Sequence, residues 1–234
     1  LFLAGDASKE AEAIALYTSA ADAYRRYLKQ FPRSKNAYDL KFFLAECLYG
    51  SRQLDEAAIS YVEVVQDKSN DRHLEKASWL AALTREELVK TMARNGEVEA
   101  TRSIMGDEYE EPEKTDQEQS ENDNKLITIE PRPIPPVIQE LIDARLVYVN
   151  LDPKYRNAEK PEQLTEMIFK VGDHYYDYKH YDEARKRFIK LIETYPKAKV
   201  TKLAAGRLID SYRDTNDWKN LAMWAERIDK LDFG

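Results

Sequence analysis

The chain has 234 residues, and its 43% hydrophobic content is enough to bury a core in one large domain or two small ones. The formal net charge of -7 argues against nucleic acid as a partner, because binding to phosphates needs a basic face. A single cysteine excludes an intramolecular disulfide and a multi-cysteine metal site, and no apolar run reaches the roughly 18–20 residues that span a bilayer. Glycine is scarce while Ala, Leu, Glu, Lys and Tyr are abundant, which favours an all-α fold.

The helical spacing of the apolar residues predicts helices along most of the chain. Proline sets two of the helix ends, after Phe31 and Tyr195, because it disfavours helical geometry in the residue before it. In chain order, the predicted helices are 7–30, 37–50, 54–67, 72–93, 136–150, 161–179, 181–195, 199–214 and 217–231. Cys47 lies in an apolar run of the second helix, and we expect it to be a small buried side chain.

One pattern recurs in these helices: an alanine, an aromatic residue four positions later and an apolar residue three further on. The spacing places the three residues on one helix face, and the alanine allows a neighbouring helix to approach closely. The instances are Ala20-Tyr24-Tyr27, Ala57-Tyr61-Val64, Ala144-Tyr148-Leu151 and Ala184-Phe188-Leu191. The preceding segment repeats in the same register, since Leu44, Ala45, Leu48 and Leu54 match Val171, Gly172, Tyr175 and Tyr181.

With these positions the sequence resembles the tetratricopeptide repeat, whose unit of about 34 residues forms two antiparallel helices. The resemblance covers residues 1–94 and 137–234, and it is strongest at the turns Leu54-Asp55-Glu56-Ala57 and Tyr181-Asp182-Glu183-Ala184. It implies a right-handed α-solenoid of antiparallel helix pairs. The segment that begins at Asn216 keeps the turn but has Leu221 in place of the alanine, which suits a terminal repeat.

The helical pattern stops over residues 95–135. Residues 107–123 hold nine acidic side chains against one basic, and no aliphatic residue. Such a segment cannot bury enough apolar surface to offset the entropy of ordering it. We therefore predict a flexible, acidic, proline-containing insertion at 95–135, between the repeat-like helices of 1–94 and those of 136–234. Within it, 126–129 is expected to form a short extended piece before the prolines.

In tetratricopeptide repeats the first helix of each pair lines the concave groove, and two such helices carry the same set of residues here. The order acid, Phe, acid, Tyr occurs at Asp39, Phe42, Glu46 and Tyr49, and again at Glu166, Phe169, Asp173 and Tyr176. Either the acids are solvated and the aromatic rings pack on neighbours, or the two sets form an acidic groove for a basic peptide with an apolar anchor. We state the groove as the hypothesis.

No motif for catalysis, phosphate binding or a cofactor is found in the sequence, so no enzyme activity and no cofactor are predicted. His174 and His180, with Asp173 and Asp177 nearby, are the only cluster that suggests a metal. Their spacing is poor, because catalytic zinc needs three convergent ligands, and we do not expect a metal site.

The linkers Phe31-Pro32-Arg33-Ser34 and Tyr195-Pro196-Lys197-Ala198 resemble those of bacterial cell-envelope repeat proteins, of the outer-membrane assembly lipoprotein and periplasmic coordinator type. The resemblance implies a non-catalytic protein-interaction scaffold in a complex for outer-membrane biogenesis, motility or secretion, located in the periplasm or peripherally on the envelope. The alternative is a regulatory repeat region of a larger enzyme or of a cytoplasmic signalling protein. Because residue 1 is Leu, we expect a processed or trimmed N-terminus.

Overall fold

The computed structural model describes residues 7–109, 126–157 and 161–231. The described residues form α-helices, two short 3₁₀ helices at Gly106–Glu108 and Pro153–Tyr155, and no strand, which confirms the all-α prediction. The α-helices are α1 Ala7–Gln30, α2 Ala37–Gly50, α3 Leu54–Gln66, α4 Leu74–Arg94, α5 Arg102–Met105, α6 Pro136–Val149, α7 Pro161–Asp177, α8 Tyr181–Thr194, α9 Thr201–Asp214 and α10 Trp218–Asp229. Each predicted helix is present, whereas α5 was not predicted, since four residues are too short to show a period.

The chain divides into two compact units, which are described separately. Unit 1 consists of Leu1–Met92 with Asp143–Asn157, and unit 2 of Ala93–Ile142 with Ala158–Gly234. Among the described residues, no helix has both the length and the apolar character needed to cross a membrane.

Unit 1 packs α1 on α2 and α2 on α3. Its core confirms the alanine pattern of α3, because Ala57, Tyr61 and Val64 are all buried. The register predicted for α1 is wrong by one residue, since Ala21 is buried while Ala20 is only half-buried. Other members of this core are Tyr38, Phe42, Ala45, Leu48, Ala77 and Ala81, and the half-buried Cys47 packs against them.

A fully buried arginine joins α4 to the second half of α6 in unit 1. Arg145 is 0% exposed, and its guanidinium donates to the Glu86 carboxylate at 2.8 Å. Close by, the Trp79 ring meets the ring of Tyr148 edge-on at 5.3 Å between centroids. Because a buried guanidinium must be paired, this ion pair fixes how the two helices align.

Unit 2 packs its last four helices consecutively, α7 on α8, α8 on α9 and α9 on α10. The alanine pattern of α8 is confirmed, since Ala184, Phe188 and Leu191 are buried. Opposite them, α7 has Gly172, where an added Cβ would lie 2.7 Å from the Phe188 ring. The two helices can therefore approach this closely only with glycine at that position.

Three helix-to-helix turns share one backbone geometry. The chain enters the left-handed region at Arg52, Lys179 and Asn216, with φ of 63°, 64° and 51°. Each is followed by a helix N-cap with nearly identical angles, at Gln53 (φ -83°, ψ 63°), His180 (φ -79°, ψ 63°) and Asp217 (φ -83°, ψ 65°). The N-cap amides donate back to Leu48, Tyr175 and Tyr212 carbonyls at 2.9, 2.8 and 2.9 Å. This pattern is a Schellman-type helix ending, and it gives α2, α7 and α9 a common register.

The central part of the predicted insertion, residues 110–125, lies outside the described residues. Its flanks are packed in unit 2. Ile104 of α5 is buried, α5 contacts α7, and the N–H of Arg132 donates to the carbonyl of Tyr178 at 2.9 Å. Residues 126–129 have neither helix nor strand pairing, and the N–H of Ile127 donates to the Thr215 carbonyl at 2.9 Å.

Candidate protein-binding surfaces

The face of α2 that carries the predicted groove residues is directed towards α4 in unit 1. The Asp39 carboxylate accepts from Arg72 at 3.0 Å and lies 3.0 Å from Nε2 of His73. Glu46 accepts from the hydroxyl of buried Tyr61 at 2.6 Å and from Lys76 at 3.4 Å. Both acids are half-exposed. We call this face the α2–α4 surface.

Phe42, expected to anchor a peptide, is instead part of the unit 1 core. It is 3% exposed, and its ring stacks on His73 at 4.2 Å between centroids and 8° between planes. The Lys76 ammonium covers the ring, 4.9 Å from its centre. A partner therefore has no access to Phe42, whereas the neighbouring Phe43 is 43% exposed.

The second predicted set lies on α7 and is directed towards α9 in unit 2; we call this face the α7–α9 surface. The Asp173 carboxylate pairs with Nε of Arg207 at 2.7 Å. The Arg207 guanidinium also lies over the ring of Tyr176, 4.7 Å from its centre. Phe169 is half-buried against Phe188, 6.0 Å away, and Glu166 is half-exposed beside Lys170 of the same helix.

Asp173 is buried and does not offer a charge to solvent, contrary to its expected role as a steering carboxylate. Burial raises the pKa of Asp173 to about 6, although the Arg207 guanidinium opposes that change and Asp177 adds to it. The cause is desolvation, since removing a carboxylate from water disfavours its charged form. Asp173 therefore holds α7 to α9 rather than facing a partner.

The last member of each set makes the same contact in both units. The Tyr49 hydroxyl donates to Glu87 at 2.7 Å, and the Tyr176 hydroxyl donates to Asp214 at 3.1 Å; both acids lie 38 residues further along the chain. Hydrogen bonding to Glu87 raises the pKa of Tyr49, and burial raises that of Tyr176. The two surfaces thus share one contact, which joins α2 to α4 and α7 to α9.

A third set of equivalent positions, missed in the sequence, follows from the turn at Asn216. The sets on α2 and α7 lie at the same sequence distances before the turn residues Arg52 and Lys179. The same distances before Asn216 give the residues on the corresponding face of α9: Leu203, Gly206, Asp210 and Arg213. Leu203 is 56% exposed, and nothing lies within 4 Å of a Cβ built on Gly206. The residue types differ from those of α2 and α7, so this set can be identified only from the position of the turn that follows it.

The histidines considered as metal ligands have structural contacts instead. His174 is buried with Nδ1 2.7 Å from the Ser103 hydroxyl, and the Asp177 carboxylate accepts from the Ser103 amide at 2.9 Å. His180 Nε2 lies 2.9 Å from the Arg132 carbonyl. Over the ranges that the structure describes, no three His, Cys, Asp or Glu residues are grouped to hold a metal. These side chains hold the flanks of 110–125 to unit 2.

Unit 2 also contains an open cleft of about 580 Å³. One wall is the segment Leu126–Ile129 with Pro131, and the other is the turn between α7 and α8 with the end of α9. The residues of the second wall are Lys179, His180, Tyr181, Asp182, Glu183, Arg185, Thr215 and Asp217.

No protein-family model matches the chain, and no curated protein matches it with significant similarity.

Proposed function

We propose that the chain is a non-catalytic protein-interaction scaffold of the tetratricopeptide type, a right-handed α-solenoid that serves a bacterial envelope complex. The observation that carries the proposal is the common geometry of the turns at Arg52, Lys179 and Asn216. A shared turn gives α2, α7 and α9 the same face positions, which is how repeat proteins build an extended binding surface from short units.

The accessible residues of these faces define the kind of partner. Glu46 and Glu166 are half-exposed acids, while Tyr49 and Leu203 are exposed apolar or aromatic groups. Lys76 beside Glu46 is exposed and Lys170 beside Glu166 is half-buried, and ion pairs near the surface contribute only about 0–1 kcal/mol. A basic partner segment can therefore displace them, with aromatic and aliphatic contacts as anchors.

The linkers between repeats support the envelope assignment. In both, the residue three positions after the aromatic donates its N–H back to that aromatic's carbonyl, at 3.1 Å for Ser34 to Phe31 and 3.0 Å for Ala198 to Tyr195. The linkers that resemble those of envelope repeat proteins thus also share their local geometry with each other. Fractionation of the native source tests this assignment, with recovery in the envelope or periplasmic fraction as the expected result.

Photo-crosslinking tests the binding surface directly. A p-benzoylphenylalanine at Tyr49 or at Leu203 should crosslink a partner in the native source, and 0.5 M salt should reduce the yield, because screening weakens charge steering. The matched control is Ile59, which is also exposed but lies on α3. Equal crosslinking from Ile59 would refute the assignment of the binding face.

A further inference from the structure

The wall of the unit 2 cleft formed by residues 126–131 has unpaired main-chain groups. The segment is held at two points, by the N–H of Ile127 on the Thr215 carbonyl and by the N–H of Arg132 on the Tyr178 carbonyl, both at 2.9 Å. Between these points, no hydrogen bond joins the amides of 128–130 to any part of the chain that the structure describes. Unpaired main-chain groups can form hydrogen bonds with another extended chain, as the edge strand of a sheet does.

The same wall is apolar and open to solvent. Leu126 and Ile127 are among the most exposed large apolar residues of the described chain, and Thr128 beside them is also exposed. Adjacent exposed apolar groups beside a cleft are typical of a binding site. In strand addition, main-chain hydrogen bonds supply affinity, and alternate side chains of the added strand enter pockets.

The opposite wall carries three acids, Asp182, Glu183 and Asp217, and two cations, Lys179 and Arg185. Arg185 is turned inward, where it donates to the Ser211 carbonyl at 2.6 Å and to the Thr215 hydroxyl at 2.8 Å. Lys179 lies over the Tyr181 ring, 5.6 Å from its centre. The Asp182 side chain is 91% exposed, and its ion pair with Arg185 is long, at 3.8 Å, so Asp182 can accept another cation from solvent. A cationic ligand side chain is therefore complementary to this rim.

We infer that the cleft binds an extended segment of a partner protein that alternates apolar and basic residues. The segment pairs through its main chain with residues 128–130, places apolar side chains against Ile127 and Ile129, and directs a lysine or arginine to Asp182. The inference rests on the proposed scaffold function, and it adds a contact outside the helix faces of the α2–α4 and α7–α9 surfaces.

The test uses the full chain and a fluorescein-labelled peptide of sequence Lys-Val-Lys-Val-Lys, followed by fluorescence anisotropy. Thr128→Pro removes the amide donor of an exposed residue, and Thr128→Ala removes the same side chain but keeps the donor. We expect Thr128→Pro to weaken peptide binding about tenfold, because it removes one main-chain hydrogen bond and distorts the backbone locally. The affinity of Thr128→Ala should stay within about twofold of wild type.

Charge is tested separately. Asp182→Lys should weaken binding about fivefold, whereas Glu12→Lys, an equal change on exposed α1, should have no such effect. The peptide Glu-Val-Glu-Val-Glu should not compete. Hydrogen exchange of the wild-type chain should show protection of the amides of residues 128–130 when the basic peptide binds. This measurement does not depend on whether the variants fold correctly.

Three results would overturn the inference: equal affinity of Thr128→Pro and Thr128→Ala, equal binding of the acidic peptide, or no protection of the amides of residues 128–130. Peptide binding that is sensitive to Glu46→Gln but not to Thr128→Pro would place the ligand on the α2–α4 surface. The cleft assignment would then fail while the scaffold function stands.

Discussion

The α2–α4 and α7–α9 surfaces carry the same residue types at the same spacing, yet each buries a different member of its set. On α2 the aromatic Phe42 is buried and the acid Glu46 is half-exposed. On α7 the acid Asp173 is buried and the aromatic Phe169 is half-buried. The turn fixes which positions face the next helix, but that helix decides which of them remain accessible.

The neighbouring helices explain the difference. The start of α4 supplies Lys76, and His73 immediately precedes this helix; their flat ring and long cation together cover Phe42. Helix α9 supplies Arg207, whose guanidinium draws Asp173 into a buried ion pair. A repeated pattern within one helix therefore predicts a face but not its exposure.

The largest expected effect is on stability, when the two phenylalanines are compared. Phe42→Ala should cost about 3–5 kcal/mol of unfolding free energy, because it leaves a cavity under His73. Phe169→Ala should cost roughly half as much, since that ring is already partly in solvent. Urea denaturation followed by circular dichroism measures both. A larger loss for Phe169→Ala would reverse the comparison.

Substitution of two glycines, one on α7 and one on α9, should change stability with opposite signs. Gly172→Ala should destabilise by roughly 1–2 kcal/mol, because the new methyl group would meet the fully buried Phe188 ring. Gly206→Ala enters open space and should stabilise α9 by about 0.5–1 kcal/mol through helix propensity. Denaturant titration decides the signs, and a stabilising Gly172→Ala would mean that α7 and α8 are less closely packed.

Two carboxylates, one in each unit, should show opposite pH dependence. The pKa of Asp173 is raised to about 6 by burial, so its contribution to stability is fully present below about pH 4 and is lost as the pH rises through 6. The pKa of Asp67 is lowered to about 2, chiefly by the Lys41 ammonium 2.6 Å away. Its contribution is present above about pH 4 and is lost as the pH falls through 2.

The measurement is the difference in unfolding free energy between wild type and each Asn variant across pH. For Asp173→Asn, the wild-type advantage should fall by roughly 1–3 kcal/mol from pH 4 to pH 7. For Asp67→Asn, it should rise by roughly 1–2 kcal/mol from pH 2 to pH 5. If the wild-type advantage changed with pH in the same direction for both variants, the burial of Asp173 would not control its protonation.

The sequence predicted the long helices well because apolar periodicity and the prolines after Phe31 and Tyr195 are local signals. It did not predict the burial of Phe42. That burial depends on the side chains of His73 and Lys76, which lie 31 or more residues further along the chain. The sequence makes no prediction for Arg145, whose burial is explained by its pairing with Glu86. Such contacts join helices distant in sequence, so no local pattern records them.

The face of α9 could not be predicted from the sequence for a different reason. Leu203 and Gly206 share no residue type with the equivalent positions of α2 or α7, so comparison of side chains alone does not align them. The turn at Asn216 aligns α9 with α2 and α7, because a left-handed residue followed by a helix N-cap is a requirement of the backbone rather than of side-chain packing.

The central claim is that partners bind the face of the first helices, and charge neutralisation at Glu46 tests it most directly. Glu46→Gln keeps an acceptor for the Tyr61 hydroxyl and removes only the charge, while Glu63→Gln makes the same change on the exposed side of α3. Surface plasmon resonance at 0.05 M and 0.5 M salt, with the partner recovered by crosslinking, measures the association rate. The predicted result is an on-rate that falls several-fold for Glu46→Gln at low salt, recovers relative to wild type at high salt, and does not change for Glu63→Gln. Equal on-rates for both variants, or a loss only in Glu63→Gln, would contradict the claim.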